Sequence, residues 1–190
     1  MVETASGSPF TCEICILAGG LSRRMGRDKA RLRLGANTMM GQIRTTVSRM
    51  GWPVRVIRKD LVPRCGPLGG VYTGLKTTQS DAVLFLACDM PFLGIEVLNC
   101  FLDDYRSTPQ ALFTSYRGRV GFPFLLPRWT ISQVAKQIGL GEFSVQALAK
   151  FLQARIIEMP QRLAVQLRNV NTPAEWESAR KRWNRQKTKP

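Results

Sequence analysis

The chain has 190 residues, of which 44% are hydrophobic and 22% charged, a composition typical of one globular domain. It carries 28 Lys and Arg against 13 Asp and Glu, and the resulting net charge of +15 favours anionic partners such as phosphorylated substrates. No apolar stretch reaches the roughly 18 residues of a membrane-spanning helix. Residues 1–11 lack the pattern of a secretion signal, so we expect no membrane association and a cytoplasmic location.

The cysteine and histidine content excludes several kinds of chemistry. Five cysteines, most of them inside apolar runs, are typical of buried thiols in a reducing compartment. Cys12 and Cys15 have zinc-ligand spacing, but the chain has no second cysteine pair and no histidine, so a structural metal lacks ligands. The absence of histidine also excludes Ser-His and Cys-His nucleophilic catalysis.

Hydrophobic periodicity predicts alternating strands and helices. The predicted strands are 12–18, 54–57, 82–87, 111–116, 122–126, 155–159 and 165–170. The predicted helices are 38–50, 68–77, 94–105, 131–138 and 143–152, with a last helix from about Pro173. This order predicts an α/β fold with a mostly parallel sheet and a mixed edge. We expect a disordered lead-in at 1–11, one domain at 12–184 and a basic tail at 185–190.

The first strand is followed by a loop rich in glycine and arginine, LAGGLSRRMGRDK over residues 17–29. In open α/β sheets ligands bind beyond the carboxyl ends of the strands, which is where this loop lies. Gly19 and Gly20 allow the backbone N–H groups to approach phosphate oxygens. Arg23, Arg24 and Lys29 can neutralise phosphate charge. The pattern predicts a triphosphate-binding loop.

Two familiar phosphate loops do not match this segment. A Walker A loop requires Gly-Lys-Ser/Thr, whereas Gly26 is followed here by Arg27 and Asp28. A dinucleotide fingerprint requires the spacing G-x-G-x-x-G, which the loop lacks.

The loop closely resembles the signature of the molybdenum cofactor guanylyltransferases, the MobA family. Three further motifs of that family occur in the family's order: GPLGG at 66–70, CDMPF at 88–92 and NVNTP at 169–173. The resemblance implies a Rossmann-like three-layer α/β/α fold and a nucleotidyltransferase. It also implies the reaction, in which GMP passes from GTP to the terminal phosphate of molybdopterin with release of pyrophosphate. A molybdopterin-delivering protein or a molybdoenzyme that accepts the product is a further hypothesis.

The resemblance also suggests which residues act. The nucleotide would contact the residues Leu17, Ala18, Gly19, Gly20, Arg23, Lys29, Asp60 and Asp89. Lys29 and Arg23 would hold the triphosphate and act in catalysis together with Asp89. Asp89, at the end of the most apolar strand, is the candidate Mg²⁺ ligand; alternatively it is a helix N-cap or a turn residue. Asn169 and Asn171 would lie on the acceptor side; alternatively, Asn171-Thr172-Pro173 is a helix-capping turn.

One departure from the family pattern concerns recognition of the nucleotide base. The longer stretch before GPLGG, which normally contains a base-contacting asparagine, is missing, since the second strand runs almost directly into Gly66. Asp60 could accept hydrogen bonds from guanine N1–H and the exocyclic amine. The Leu-Ala-Gly-Gly start favours GTP over CTP, because cytidylyl relatives usually have Leu-Ala-Ala-Gly.

Three alternatives to GMP transfer onto molybdopterin remain open: a relative that uses CTP, one that uses another phosphorylated acceptor, and an inactive relative. A basic binding module for nucleic acid or an acidic protein is the non-enzymatic alternative. The low aromatic content of 8% argues against single-stranded nucleic acid.

Overall fold

The computed structural model describes residues 10–19 and 32–187. In chain order the strands are β1 Cys12–Leu17, β2 Arg33–Leu34, β3 Asn37–Thr38, β4 Val54–Ile57, β5 Ala82–Ala87, β6 Leu112–Tyr116, β7 Arg119–Pro127 and β8 Arg155–Glu158. The helices are α1 Met39–Val47, α2 Gly66–Thr77, α3 Ile95–Ser107, α4 Ile131–Gly139, α5 Val145–Phe151, α6 Gln161–Ala164 and α7 Pro173–Lys187.

Six strands form one sheet in the order β4-β1-β5-β7-β6-β8, and β2 pairs with β3 in a small separate hairpin. β1 is parallel to both β4 and β5, and β6 is parallel to β8. β7 runs antiparallel between β5 and β6. The predicted mostly parallel sheet with a mixed edge is confirmed, and the carboxyl ends of β4, β1 and β5 meet at one edge.

Helices cover both faces of the sheet because the strands are apolar on both sides. On one face, Ile14 and Ile16 of β1 pack with residues of α1 and α3. On the other face, Cys15 packs with residues of α2, α4 and α5. Burial on both faces is typical of parallel sheets and explains the unbroken apolar run of β5. The architecture is the predicted three-layer α/β/α arrangement.

A third, smaller cluster lies under the C-terminal helix. Leu34 and Met39 pack there with Val170 and Ala179, with tryptophan and phenylalanine side chains around them. This cluster attaches α7 to the β2–β3 hairpin and to the chain that follows β5. The C-terminal segment is therefore held at the same side of the domain as the end of β5.

Each element predicted from the sequence is present in the structure except the one near residue 165. The strand predicted at 165–170 is wrong: the segment forms a 3-10 turn, Val165–Leu167, directly after α6. Leu163 and Leu167 are buried four residues apart, which is helical spacing. α6 and the β2–β3 hairpin are too short to give a periodic pattern, and the prediction did not include them.

Phe10 and Thr11, the last residues of the predicted lead-in, pack against the domain. The Phe10 ring lies 4.9 Å from that of Tyr105, and Thr11 Oγ1 donates to Asp81 at 2.8 Å. Across residues 10–19 and 32–187, none of the helices has the length and apolarity needed to cross a bilayer.

Candidate active site

The chain that leaves β1 is fixed to both neighbouring strands. The N–H of Ala18 donates to the carbonyl of Ile57 at 2.8 Å, and the N–H of Cys88 donates to the carbonyl of Leu17 at 3.3 Å. Residues 17 and 18 are therefore held between the ends of β4 and β5. This is the edge at which α/β folds bind ligands.

Gly19 carries no side chain although the described protein has room for one. A Cβ built at Gly19 would lie 3.5 Å from the carbonyl oxygen of Arg58 and 3.7 Å from Oδ1 of Asp60, which are ordinary contact distances. Packing against the described residues therefore does not require glycine here. The open backbone is suited to close approach by a ligand, and contact between Gly19 and the nucleotide stays a prediction.

The Asp60 carboxylate lies between this backbone and helix α2. A Cβ at Gly69 would be only 2.7 Å from Asp60 Oδ2, and one at Gly70 would be 3.4 Å from Oδ1. Asp60 is half-buried, and desolvation raises the pKa of its carboxyl group. In the described ranges no side chain forms an ion pair with it and no group donates a hydrogen bond to it. A half-buried carboxylate in this state can accept hydrogen bonds from a ligand.

Asp89 lies two residues beyond β5 and is half-buried. Its carbonyl accepts a hydrogen bond from the N–H of Val170 at 2.8 Å, which brings residues 169–171 next to it. The helix N-cap alternative for Asp89 is wrong, because α3 is capped at Gly94, whose N–H donates to Gln166 Oε1 at 2.9 Å. Asp89 instead occupies a turn at the ligand-binding edge of the sheet.

The capping alternative for residues 171–173 is confirmed. The Glu175 carboxylate accepts from the N–H groups of Asn171 and Thr172 at 2.7 and 2.9 Å, and Thr172 Oγ1 accepts from the N–H of Glu175 at 3.2 Å. This is a capping box at the start of α7. It uses the main chain of Asn171, so an acceptor role for the side chains of Asn169 and Asn171 stays a prediction.

Comparison with known proteins identifies the family. The model of the MobA-like NTP transferase domain matches residues 14–60 and 46–158. The chain belongs to this family. It is 30% identical to the molybdenum cofactor guanylyltransferase of Syntrophotalea carbinolica, over 90% of each chain. It is 31% identical to a probable molybdenum cofactor guanylyltransferase of Opitutus terrae, covering 88% of this chain and 94% of the relative.

Solved structures share the MobA-like fold at lower identity. Molybdopterin-guanine dinucleotide biosynthesis protein A from Archaeoglobus fulgidus superposes with a TM-score of 0.69 at 16% identity, over 91% of this chain and 99% of that one. Rv0371C of Mycobacterium tuberculosis in complex with manganese superposes with a TM-score of 0.62 at 14% identity, over 92% and 100%. These two structures support the fold.

The remaining predicted residues of the MobA-like signature lie in the loop. Gly20, Arg23, Arg24 and Lys29 fall outside the described residues. Their assignment to the triphosphate stays a prediction.

A cleft of about 1370 Å³ opens beside the Asp89 edge of the MobA-like domain. Its walls are the start of α2, the β6–β7 hairpin, the start of α5 and the segment from Leu167 into α7. Asn169 is exposed in it. Four arginines line it, Arg117, Arg119, Arg168 and Arg182. The cleft is therefore strongly cationic and large enough for a drug-sized ligand.

Sequence reasoning missed this use of the arginines. The prediction placed Arg168 in the strand at 165–170 and gave no role to Arg117, Arg119 or Arg182. The position of Arg168 in the sequence could have indicated a role at the site. Arg168 directly precedes the NVNTP motif, whose Val170 donates a hydrogen bond to the Asp89 carbonyl.

The donor set suits Mg²⁺ held jointly with a substrate. The described residues contain no group of three or more His, Cys, Asp or Glu side chains that could hold a metal ion alone. Magnesium usually takes one or two protein carboxylates, and phosphate oxygens and water complete its coordination. Asp89, a single carboxylate at the ligand edge, fits that requirement.

Proposed function

We propose that this chain transfers GMP from GTP to the terminal phosphate of molybdopterin, forming molybdopterin guanine dinucleotide and pyrophosphate. The observation that carries the proposal is the meeting of Ala18, Asp60 and Asp89 at one edge of the sheet, beside a cationic cleft. The names of the family's curated relatives support the same reaction.

The nucleotide would lie along this edge. The backbone from Leu17 to Gly19 would approach it closely, and Asp60 would accept from guanine N1–H and the exocyclic amine. Cytosine offers no matching pair of donors, so Asp60 favours GTP over CTP. Arg23 and Lys29 of the loop would neutralise the triphosphate charge.

The reaction requires no side-chain base, because the attacking phosphate oxygen is already an anion. That oxygen forms a new bond to the α-phosphorus of GTP while the bond from the α-phosphorus to the bridging oxygen breaks, and pyrophosphate leaves with the electron pair. The protein's task is to place the two phosphates in line and to stabilise the negative charge. A chain without histidine can perform this task.

Asp89 is the proposed Mg²⁺ ligand, with Asn169 and Asn171 beside it on the acceptor side. A bound Mg²⁺ would supply positive charge to the phosphate oxygens. We further propose that the protein acts in the cytoplasm, which fits its five free cysteines.

Pyrophosphate release with molybdopterin and Mg²⁺ tests the proposal, comparing GTP with CTP in wild type, Asp89→Asn and Asp60→Asn. We expect release with GTP and its near-complete loss in Asp89→Asn. We expect Asp60→Asn to weaken GTP binding by about ten- to hundredfold, the usual range for losing a hydrogen bond to a charged group. Release with CTP alone would refute the base assignment, and no release with either nucleotide would refute the transferase.

A further inference from the structure

The four arginines of the cleft have no acidic partner among the described residues. Some arginines outside the cleft do pair with carboxylates, as Arg55 does with Glu13 at 2.8 Å and Arg155 with Asp104 at 3.0 Å. Among the described residues no carboxylate pairs with any of the four cleft arginines. Glu175, the one acidic side chain in the described lining, is occupied in capping α7. The cleft therefore holds positive charge that the described protein does not neutralise.

Arg182 is packed at the wall of the cleft that Arg168 also lines. Arg182 lies over the Phe92 ring with its guanidinium carbon 5.0 Å from the ring centroid. Burial lowers the pKa of Arg182, and the charge of Arg168 lowers it further. Arg182 Nε is buried and has no hydrogen-bond acceptor among the described groups. Like charges that share one cleft and an unsatisfied buried donor both cost free energy, and a bound anion would offset both costs.

Arg168 is oriented by the β6–β7 hairpin. Its Nε–H donates to the phenol oxygen of Tyr116 at 3.4 Å, and Arg117 lies 5.4 Å from the centre of the same ring. The hydrogen bond from Arg168 is the main reason that the pKa of Tyr116 is lowered. A register shift between Phe113 and Thr114 interrupts the β6–β7 pairing before the tip, and such bulges turn a hairpin. Tyr116 therefore holds one nitrogen of Arg168 and leaves its terminal nitrogens for a ligand.

We propose that Arg168 and Arg182, with Arg117 at the hairpin tip, form a second anion site that binds the phosphate monoester of the acceptor. The assignment to the acceptor rests on the proposed function. Arg168 is two residues before Val170, whose N–H donates to the Asp89 carbonyl. Arg182 lies over Phe92, which is three residues after Asp89. The site therefore lies beside the proposed reacting phosphates. A planar guanidinium can bind two phosphate oxygens at once, which fits a terminal phosphate. Tyr116 is a positioning residue.

Binding of a fluorescent pterin tests the site without requiring turnover. The probes are 6-hydroxymethylpterin phosphate and unphosphorylated 6-hydroxymethylpterin, titrated into wild type, Arg168→Gln and Arg182→Gln. We expect each variant to bind the phosphorylated pterin about ten- to hundredfold more weakly, with little change for the unphosphorylated pterin or for GTP. The control is Arg106→Gln, which removes one positive charge from an exposed surface pair outside the cleft.

A double-mutant cycle tests the role of Tyr116. Tyr116→Phe keeps the ring beside Arg117 and removes the oxygen that Arg168 contacts, so we expect severalfold weaker binding of the phosphorylated pterin only. In the double variant Tyr116→Phe/Arg168→Gln the two losses should not add. Fully additive losses would refute the positioning role.

Other outcomes separate this site from the proposed reaction. Wild-type affinity for the phosphorylated pterin in Arg168→Gln and Arg182→Gln, or an equal loss of GTP binding, overturns the anion site. A competition experiment on wild type does not depend on the folding of any variant. Inorganic phosphate should displace the phosphorylated pterin at a lower concentration than it displaces GTP, and the reverse order also overturns the site. Selective loss of pterin phosphate without any GMP transfer would support the anion site and refute the proposed function.

Discussion

Replacing Gly69 by alanine tests how tightly helix α2 holds the segment that carries Asp60. A Cβ at this position would lie 2.6 Å from the carbonyl oxygen of Val62 and 2.7 Å from Oδ2 of Asp60. The Asp60 carboxylate can rotate away, but the Val62 carbonyl is backbone and moves only if the segment moves. Inserting a methyl group into an unyielding site costs about 1–3 kcal/mol, and because the nearer contact here is with backbone, the cost lies in the upper half of that range, at about 2–3 kcal/mol.

Two opposing terms decide the size of the effect. Alanine is better than glycine within a helix by about 1 kcal/mol, which offsets part of the steric cost. The net loss in the free energy of unfolding is then about 1–2 kcal/mol, a fall in Tm of about 2–8 °C for a chain of this length. Because Asp60 is displaced, we expect GTP binding to weaken by about tenfold in the same variant.

Thermal unfolding and GTP titration of Gly69→Ala check this prediction, with Gly19→Ala as the matched control. A Cβ at Gly19 meets described atoms only at ordinary contact distances, so Gly19→Ala should keep the wild-type Tm within about 2 °C. It should still weaken GTP binding, because the new methyl group occupies the open backbone. An unchanged Tm in Gly69→Ala, or a large loss of Tm in Gly19→Ala, would contradict the reasoning.

Two further predictions concern buried groups away from the ligand edge. In chemical denaturation, Arg55→Met should lower the free energy of unfolding by on the order of 2–4 kcal/mol, because it leaves the largely buried Glu13 carboxylate without its cation. This loss is smaller than for a fully buried ion pair, since Arg55 is one-third exposed. Adding Glu13→Leu should recover most of the loss, and no recovery would refute the ion-pair explanation. Burial raises the pKa of Cys12 and of Cys15 to about 12, so at pH 8.5 their thiolate fraction is on the order of a thousandfold below that of an ordinary thiol. Iodoacetamide at pH 8.5 should therefore label the partly exposed Cys100 and spare both, and equal labelling in the folded protein would show that β1 opens.

Local sequence patterns predicted the parts of the fold in which one pattern dominates. The apolar run 82–87 has no polar residue, so its assignment as a buried strand was unambiguous, and β5 matches it. Residues 165–170 combine short helical and extended features, and only tertiary packing of Leu163 and Leu167 selects the helical form. Short elements of this kind have too few residues for a periodic signal.

The same distinction applies to the candidate site, where local patterns placed some residues and tertiary packing brought the others together. Asp60 and Asp89 could be placed because each follows a predicted strand, and parallel strands bring their carboxyl ends to one edge. The cationic cleft could not be predicted, because its arginines come from a hairpin, a connecting turn and the last helix. These arginines line one cleft only because β7 runs antiparallel and α7 packs across the end of β5. No local sequence pattern encodes either arrangement.

The antiparallel course of β7 has a consequence for how new substrate preferences could arise. β7 pairs with β5 through Phe124 and its neighbours, so the hairpin grows out of the same rigid sheet that carries Asp89. Its tip at 116–119 is nevertheless largely exposed and contributes little to the core. A grafted tip could therefore redirect the domain toward a different phosphorylated acceptor while the GTP side stays intact. In the proposed function, the fold thus combines an exposed recognition element and the reaction edge within a single sheet.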